Sequence, residues 1–311
     1  MQAQRQWHVE EFVRWMGTSG GLVGLMILSS SVLPVTPGMT LPATSIAQSA
    51  QTAEGAVNQG IQYIQQGKLS DAIAAFRRAT QLDPRMSAAH YNLGLALRQQ
   101  GQLQPAATAF YQATQADPTF ALAYANLGAA LLEGNNLPQA KDYLQRSVEL
   151  NPKLGLAHYN LGLVLERQGA LESAINSYRQ AIALSPTAPE PAYHLGMVYT
   201  QQRKVKEARA AFEQAIKIDP SYAEAHYNLG SLLFTQGDLD GALNAFRRSA
   251  QANSNYANAY YAAGLVFMRQ SKFSDAQKVL TYAKDLYAKQ GNTAWSTKAE
   301  QQLQRAKSGR S

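Results

Sequence analysis

Glycine recurs every 34 residues through most of this chain: Gly60, Gly94, Gly128, Gly162, Gly196, Gly230 and Gly264, without a miss. That period constrains the fold more than any composition could. A unit so short cannot enclose a core of its own, so it must bury its apolar face against neighbours of the same kind. The chain therefore reads as a stack of small units whose hydrophobic core is a strip running through the stack. The hexapeptide AHYNLG returns unchanged at residues 89–94, 157–162 and 225–230, two periods apart each time.

Aligned on the glycine, seven units occupy residues 51–288. Apolar residues recur at three and four within each half of a unit, as Tyr91, Leu93 and Leu97 do and then Ala106, Phe110 and Ala113. This spacing predicts two helices of about a dozen residues joined by a short turn. Beside the glycines runs the series Ala72, Ala106, Ala140, Ala174, Ala208, Ala242 and Ala276. Small residues on two helices let their backbones approach, so each glycine is expected to face the alanine of its unit. A second small series, from Ala79 through Ser147 and Ser249 to Ala283, leaves room for the following unit. A bulky one fills the gaps: Phe76, Phe110, Leu144, Tyr178, Phe212, Phe246 and Leu280. Pro84, Pro118, Pro152, Pro186 and Pro220 end the second helices, since proline lacks the next donor. Gly67, Gly101, Gly169 and Gly237 stand where the first helix turns into the second, a left-handed position that Asn135 also tolerates. Arg203 and Ser271 break this pattern, so their turns are expected to be strained or differently shaped.

Together these residues resemble the tetratricopeptide repeat family over about three quarters of the chain. The resemblance implies an all-α fold, a right-handed α-solenoid (superhelix) of helical hairpins. Its first helices would line a concave groove that binds an extended or helical peptide segment of a protein partner. The sixth unit carries Ser254 and the seventh Ala288 where the others have proline. Beyond them, in residues 289–311, Trp295, Ala299, Leu303 and Ala306 share one helical face, which predicts a capping helix followed by a basic tail.

In the recurring hexapeptide, leucine and glycine are packing residues. His90, His158 and His226 lie in alternate units and cannot meet at one metal ion, so they read as packing histidines. The asparagines Asn58, Asn92, Asn126, Asn160 and Asn228 recur at one position, interrupted by His194 and Ala262. By the resemblance this position faces the groove, where a carboxamide can pair with a bound peptide unit or bond within its own repeat. Beside it runs a stripe of Tyr91, Tyr159, Tyr193, Tyr227 and Tyr261, followed one turn on by Leu95, Leu163, Met197 and Leu265, then Arg98, Phe234 and Met268. Such a stripe suits a partner with apolar anchors, or packs between repeats. Asn126, Asn160, Tyr193, Tyr227 and Asn228 are the expected central contacts, with His194 as the odd rung. Relatives that clamp the terminal carboxylate of chaperones carry lysines where Tyr91 and Tyr159 stand, so that partner is not implied.

No cysteine is present, which removes disulfides, thiolate metal sites and a cysteine nucleophile. Gly17–Gly21 matches the nucleophile-elbow pattern, but no strand precedes Ser19 and no α/β sheet surrounds it. No phosphate loop, dinucleotide fingerprint or metal motif appears, and no segment is left over for a catalytic domain. The chain is thus read as a non-enzyme without cofactor or metal. A net charge of +7 is diffuse, and the basic end (Lys284, Lys289, Lys298, Arg305, Lys307, Arg310) lacks a nucleic-acid reader, so nucleic acid is not an expected partner. Residues 1–50 differ in kind. Gly20–Val35 is uncharged and mostly apolar, Arg5 and Arg14 precede it, and no Lys or Arg follows until Lys68. This asymmetry predicts a signal peptide or an amino-terminal anchor associating with a membrane through residues 12–35, with small residues offering cleavage after Ala47 or Ala50. The repeats would then lie outside the cytoplasm. A second reading makes the chain an assembly factor for a membrane complex, acting through the convex face and the basic end.

Overall fold

The computed structural model describes residues 52–309, so the readings of residues 1–50 and of Arg310 lie outside the described residues. Fifteen helices are present among these residues, and no strand. They form two compact units divided at Ser185 and Pro186. The first holds α1 (Ala53–Gln65), α2 (Leu69–Leu82), α3 (Ser87–Gln99), α4 (Leu103–Ala116), α5 (Ala121–Glu133), α6 (Leu137–Leu150), α7 (Gly155–Arg167) and α8 (Leu171–Leu184). The second holds α9 (Glu190–Gln201), α10 (Val205–Ile218), α11 (Ala223–Thr235), α12 (Leu239–Ala252), α13 (Ala257–Arg269), α14 (Phe273–Lys289) and α15 (Thr293–Lys307). Each unit is an α-solenoid of antiparallel hairpins, four in the first and three in the second, where α15 packs on α14 as a cap.

Within each unit a first helix packs on its own second helix, on the second helix of the hairpin before it and, less extensively, on the first helix of the next hairpin, while successive second helices scarcely meet. The stack is therefore tighter on the first-helix side, and each unit curves toward it. The apolar strip lies between the two helix layers. Phe76, Phe110, Phe212 and Phe246 are fully buried there, each contributing about 1.5–3 kcal/mol of apolar burial.

The glycines face the bulky series first and the backbone of the alanines second. A Cβ at Gly94 would stand 2.6 Å from the ring of Phe110, and one at Gly128 would stand 2.4 Å from Leu144 Cγ. The absent side chain thus makes room for the bulky residue sixteen positions on. The carbonyl of the alanine position comes next, 3.1 Å away at Ala140. Arg203 (φ 58°) and Ser271 (φ 58°) adopt the same left-handed conformation as Gly67 (φ 71°) and Asn135 (φ 61°). These turns keep the shape of the others, and their side chains carry the strain.

The stop signal of the second helix is broader than proline. Asp83, Asp117, Asn151, Asp219 and Asn253 each accept, through Oδ1, the backbone N–H two residues on, at 2.8–3.1 Å. This Asx turn gives the chain a local alternative to further helix. At Asn253 it survives although Ser254 replaces proline, and α12 ends at Ala252 in register with its counterparts. At Tyr287 and Ala288 both signals are gone, and α14 runs on to Lys289 for 17 residues.

The capping face is made by Ala299, Leu303 and Ala306, all buried. Trp295 departs from that expectation, at 36% exposed. It stacks on Tyr287 (5.8 Å between centroids) and meets Tyr261 edge-on (5.5 Å), with Lys298 Nζ 4.2 Å from its ring centre. Among the described residues no helix is long and apolar enough to cross a membrane.

Candidate functional site

The first-helix face of each unit is the candidate site, and its side chains are joined by a recurring offset of 35 residues: one repeat plus one position. Asn126 Nδ2 donates to Leu122 O (3.0 Å) and to Tyr91 Oη (3.2 Å). Asn228 Nδ2 does the same with Glu224 O (2.9 Å) and Tyr193 Oη (3.2 Å). The carboxamide of one hairpin is thereby tied to the tyrosine of the hairpin before it, and both hydrogens on its nitrogen are engaged. Asn126 is 4% and Asn160 7% exposed. Asn126 therefore offers no donor to a peptide, and its ladder position serves the stack. Asn92 stands differently: its nitrogen bonds Ala88 O (2.9 Å), and its predecessor at the same offset is Val57, which offers no hydroxyl. Among the described residues the other hydrogen of Asn92 has no partner.

The tyrosines are mortar too. Tyr91 sits 5.8 Å from the Phe110 ring of its own hairpin and 5.0 Å from Phe120 at the entrance to the next. Tyr193 repeats this with Phe212 (6.1 Å) and Tyr222 (5.0 Å), and Tyr227 with Phe246 (5.7 Å) and Tyr256 (5.4 Å). Tyr159 packs at 6.2 Å on Tyr178, whose hydroxyl donates to Glu166 (2.5 Å). Burial pushes the Tyr91 hydroxyl up to about 12, so it stays protonated and neutral at physiological pH. His194 meets the ring of Tyr193 edge-on at 5.2 Å.

Arg98 is half-buried and engaged across repeats. Its Nε and Nη2 donate to Glu133, 35 residues on, and Nη1 reaches Asn126 Oδ1 at 3.4 Å. Its charge is neutralised within the stack. Arg167 Nη1 donates to Leu132 O (3.1 Å) at the same offset, and Arg269 Nη1 to Phe234 O (3.4 Å). Met268 is buried, so it is a core residue and no groove anchor. The apolar side chains that remain partly open on this face are Leu95 and Leu163 in the first unit and Met197, Phe234 and Leu265 in the second. Leu156, one turn before Asn160, is 41% exposed.

The histidines of the hexapeptide turn away from this face. Nε2 of His90, His158 and His226 each donates to the carbonyl of Pro84, Pro152 and Pro220, at 2.9 Å in every case. They pin the interhelical loop, as packing histidines should. Among the described residues no group of three or more His, Asp or Glu side chains could hold a metal ion.

Sequence reasoning missed the Asn–Tyr bond although its signal was present. An asparagine and a tyrosine at a fixed offset one residue longer than the period are neighbours across the repeat boundary.

The sequence profile of the tetratricopeptide repeat matches residues 57–119, 125–189 and 193–258. No curated protein sequence matches the chain. Among solved structures, it resembles a chain of the APC/C hetero-tetramer Cut9-Hcn1 (20% identity, TM-score 0.63), over 72% of this chain and 44% of that one. A tetratricopeptide repeat protein from Parabacteroides merdae is similar over 81% of this chain and 99% of its own (18% identity, TM-score 0.61). YrrB, described as a tetratricopeptide protein with an unusual peptide-binding site, is similar over 63% of this chain and 99% of its own (24% identity, TM-score 0.51). At these identities the likeness carries the fold alone.

Proposed function

This chain belongs to the tetratricopeptide repeat family, and from that premise we propose that it is a non-enzymatic scaffold binding an extended or helical peptide segment of a protein partner along its first-helix face. The observation that carries this reading is the row of partly open apolar side chains (Leu95, Leu156 and Leu163; Met197 and Leu265) mounted on a backbone locked by the 35-residue ties. A locked backbone loses little further entropy when a peptide binds, so modest apolar contacts add up to affinity. The known peptide site of YrrB supports the reading by analogy of fold. The expected contacts are Asn92 and Leu163 in the first unit and, separately, Met197, Tyr227 and Tyr261 in the second, and the buried asparagines act by holding the groove in shape.

A photo-crosslinking residue at Leu163 or Met197, against one at Arg248 on the opposite layer, tests this. One discrete partner captured from the first two and not from the third is the expected result. Capture from Arg248 alone would transfer function to the outer face and favour the assembly-factor reading. That second reading has its own support, since α4 carries no charged residue and leaves Tyr111 39% exposed. We further propose export or amino-terminal anchoring through residues 12–35. Repeats protected from protease in intact cells, and cleaved once the outer compartment is opened but before lysis, would agree with it. Recovery in the cytoplasmic fraction would refute it.

A further inference from the structure

The Asn–Tyr tie occurs at the same offset in both units, and within the hairpins of the second unit the rung of Tyr227 lacks its carboxamide. Tyr193 receives Asn228, whereas Tyr227 has Ala262 at the corresponding offset. Tyr227 packs against the cluster that contains Ala262, Phe246 and Val266, so the two halves of the rung stand side by side. The surrounding hydroxyls are engaged: Tyr287 donates to Asn258 Oδ1 (2.5 Å), Tyr256 bonds Asn258, and Tyr261 bonds Gln302. Among the described residues the Tyr227 hydroxyl has no hydrogen-bond partner, and it is half-buried among Phe246, Tyr256 and the Ala262 cluster.

The complete rungs show which group this place accepts. In them a single NH₂ nitrogen donates one hydrogen to the tyrosine oxygen and the other to the carbonyl four residues before the asparagine. At the incomplete rung both acceptors remain, Tyr227 Oη and the carbonyl of Asn258, which takes no side-chain donor among the described residues. Two acceptors converging on one nitrogen suit a primary carboxamide, whereas a peptide N–H brings one hydrogen and a carboxylate none. We infer that Tyr227, Ala262 and the Asn258 carbonyl form a subsite for an asparagine or glutamine side chain of the bound peptide. The inference deepens the groove reading and rests on it: the partner supplies in trans the group that the chain supplies to itself elsewhere.

Random peptides displayed on phage and selected on the full chain, then counter-selected on Ala262→Asn, test it. The substituted asparagine completes the rung internally. Expected is a class of peptides retained by the wild type and rejected by Ala262→Asn, sharing one Asn or Gln. Changing that residue to Glu or Leu should weaken binding roughly tenfold, the loss of about one well-made hydrogen-bond pair. Ala262→Asn should also raise the urea midpoint, and adding Tyr227→Phe should remove that gain. A variant that merely misfolded would lower the midpoint. Groove-binding peptides indifferent to Ala262→Asn, or to loss of their carboxamide, would sink this inference and leave the groove reading standing. No groove-binding peptide at all would sink both.

Discussion

Asn126→Ala is expected to damage the stack before it damages recognition, and its magnitude follows from the geometry. The side chain is 4% exposed, and its nitrogen makes two hydrogen bonds of 3.0 and 3.2 Å. Net worth per neutral bond is about 0.5–1.5 kcal/mol, and a buried hydroxyl deprived of its partner costs about 1–3 kcal/mol. The expected loss is therefore about 2–3 kcal/mol, against about 1 kcal/mol for Tyr91→Phe. The double variant should fall short of the sum by about 1 kcal/mol, because each single change already breaks the shared bond. Urea titrations followed by circular dichroism supply the cycle. A broadened transition in Asn126→Ala would accompany the loss, since a weakened boundary lets hairpins on either side of it unfold separately. Asn92→Ala is the internal control: it loses only the bond to Ala88 O and should cost well under 1 kcal/mol. Additivity of Asn126→Ala and Tyr91→Phe within about 0.3 kcal/mol would refute the tie and return these residues to the list of partner contacts.

Three further outcomes are expected. Arg203→Gly and Ser271→Gly should each stabilise by about 1 kcal/mol, since both residues hold φ 58°, and unchanged or lower urea midpoints would show those turns to be unstrained. Burial holds the His226 imidazole below its ordinary value, with the nearby Arg248 acting in the same direction, against the pull of the Pro220 carbonyl. The unfolded chain therefore takes up the proton first, so this contribution to stability is present above about pH 6.5 and is lost as the pH falls below it. Urea midpoints at pH 7.5 and 5.5 should differ less in His226→Tyr than in the wild type. Asn253→Ala, which removes the remaining stop signal after α12, should let that helix extend as α14 does, visible as amide protection of residues 253–255 in hydrogen exchange.

The hairpins, their number and their turns were legible because backbone signals are local. Proline, left-handed turn residues and three-four apolar spacing each act within a few residues of their own position. What faced what across the stack was less legible, because a period states that two positions are equivalent and says nothing of which equivalent sets touch. The glycine and alanine series looked like partners by virtue of small size, and the alanine carbonyls do stand against Gly128 and Gly230, but what the period did not say is that the nearest neighbour of Gly94 is the ring of Phe110. The same blindness split the asparagines from the tyrosines. The asparagines were read as meeting a peptide or bonding within their own repeat and the tyrosines as meeting a partner or packing between repeats, whereas at Tyr91–Asn126 and Tyr193–Asn228 the two series bond each other across the repeat boundary.

The offset of 35 resolves this ambiguity, and it changes how the groove must be dissected. A contact at the repeat length plus one lies across a boundary, so residues paired at that offset belong to the stack: Arg98 with Glu133, Arg167 with the Leu132 carbonyl, Arg269 with the Phe234 carbonyl. Among residues whose partner at that offset is missing, Asn92 after Val57 and Tyr227 before Ala262 stay partly open, whereas Asn160 after Ala125 is buried by its own surroundings. Substitution at paired positions changes curvature and stability together, and weakens a partner indirectly. Removing only the unpaired polar group, as Asn92→Ala and Tyr227→Phe do, tests recognition while the ring packing of Tyr227 on Phe246 and Tyr256 is kept. Binding data from Asn126 or Asn228 alone therefore cannot distinguish a reading contact from a broken wall, whereas Asn92 and Tyr227 can.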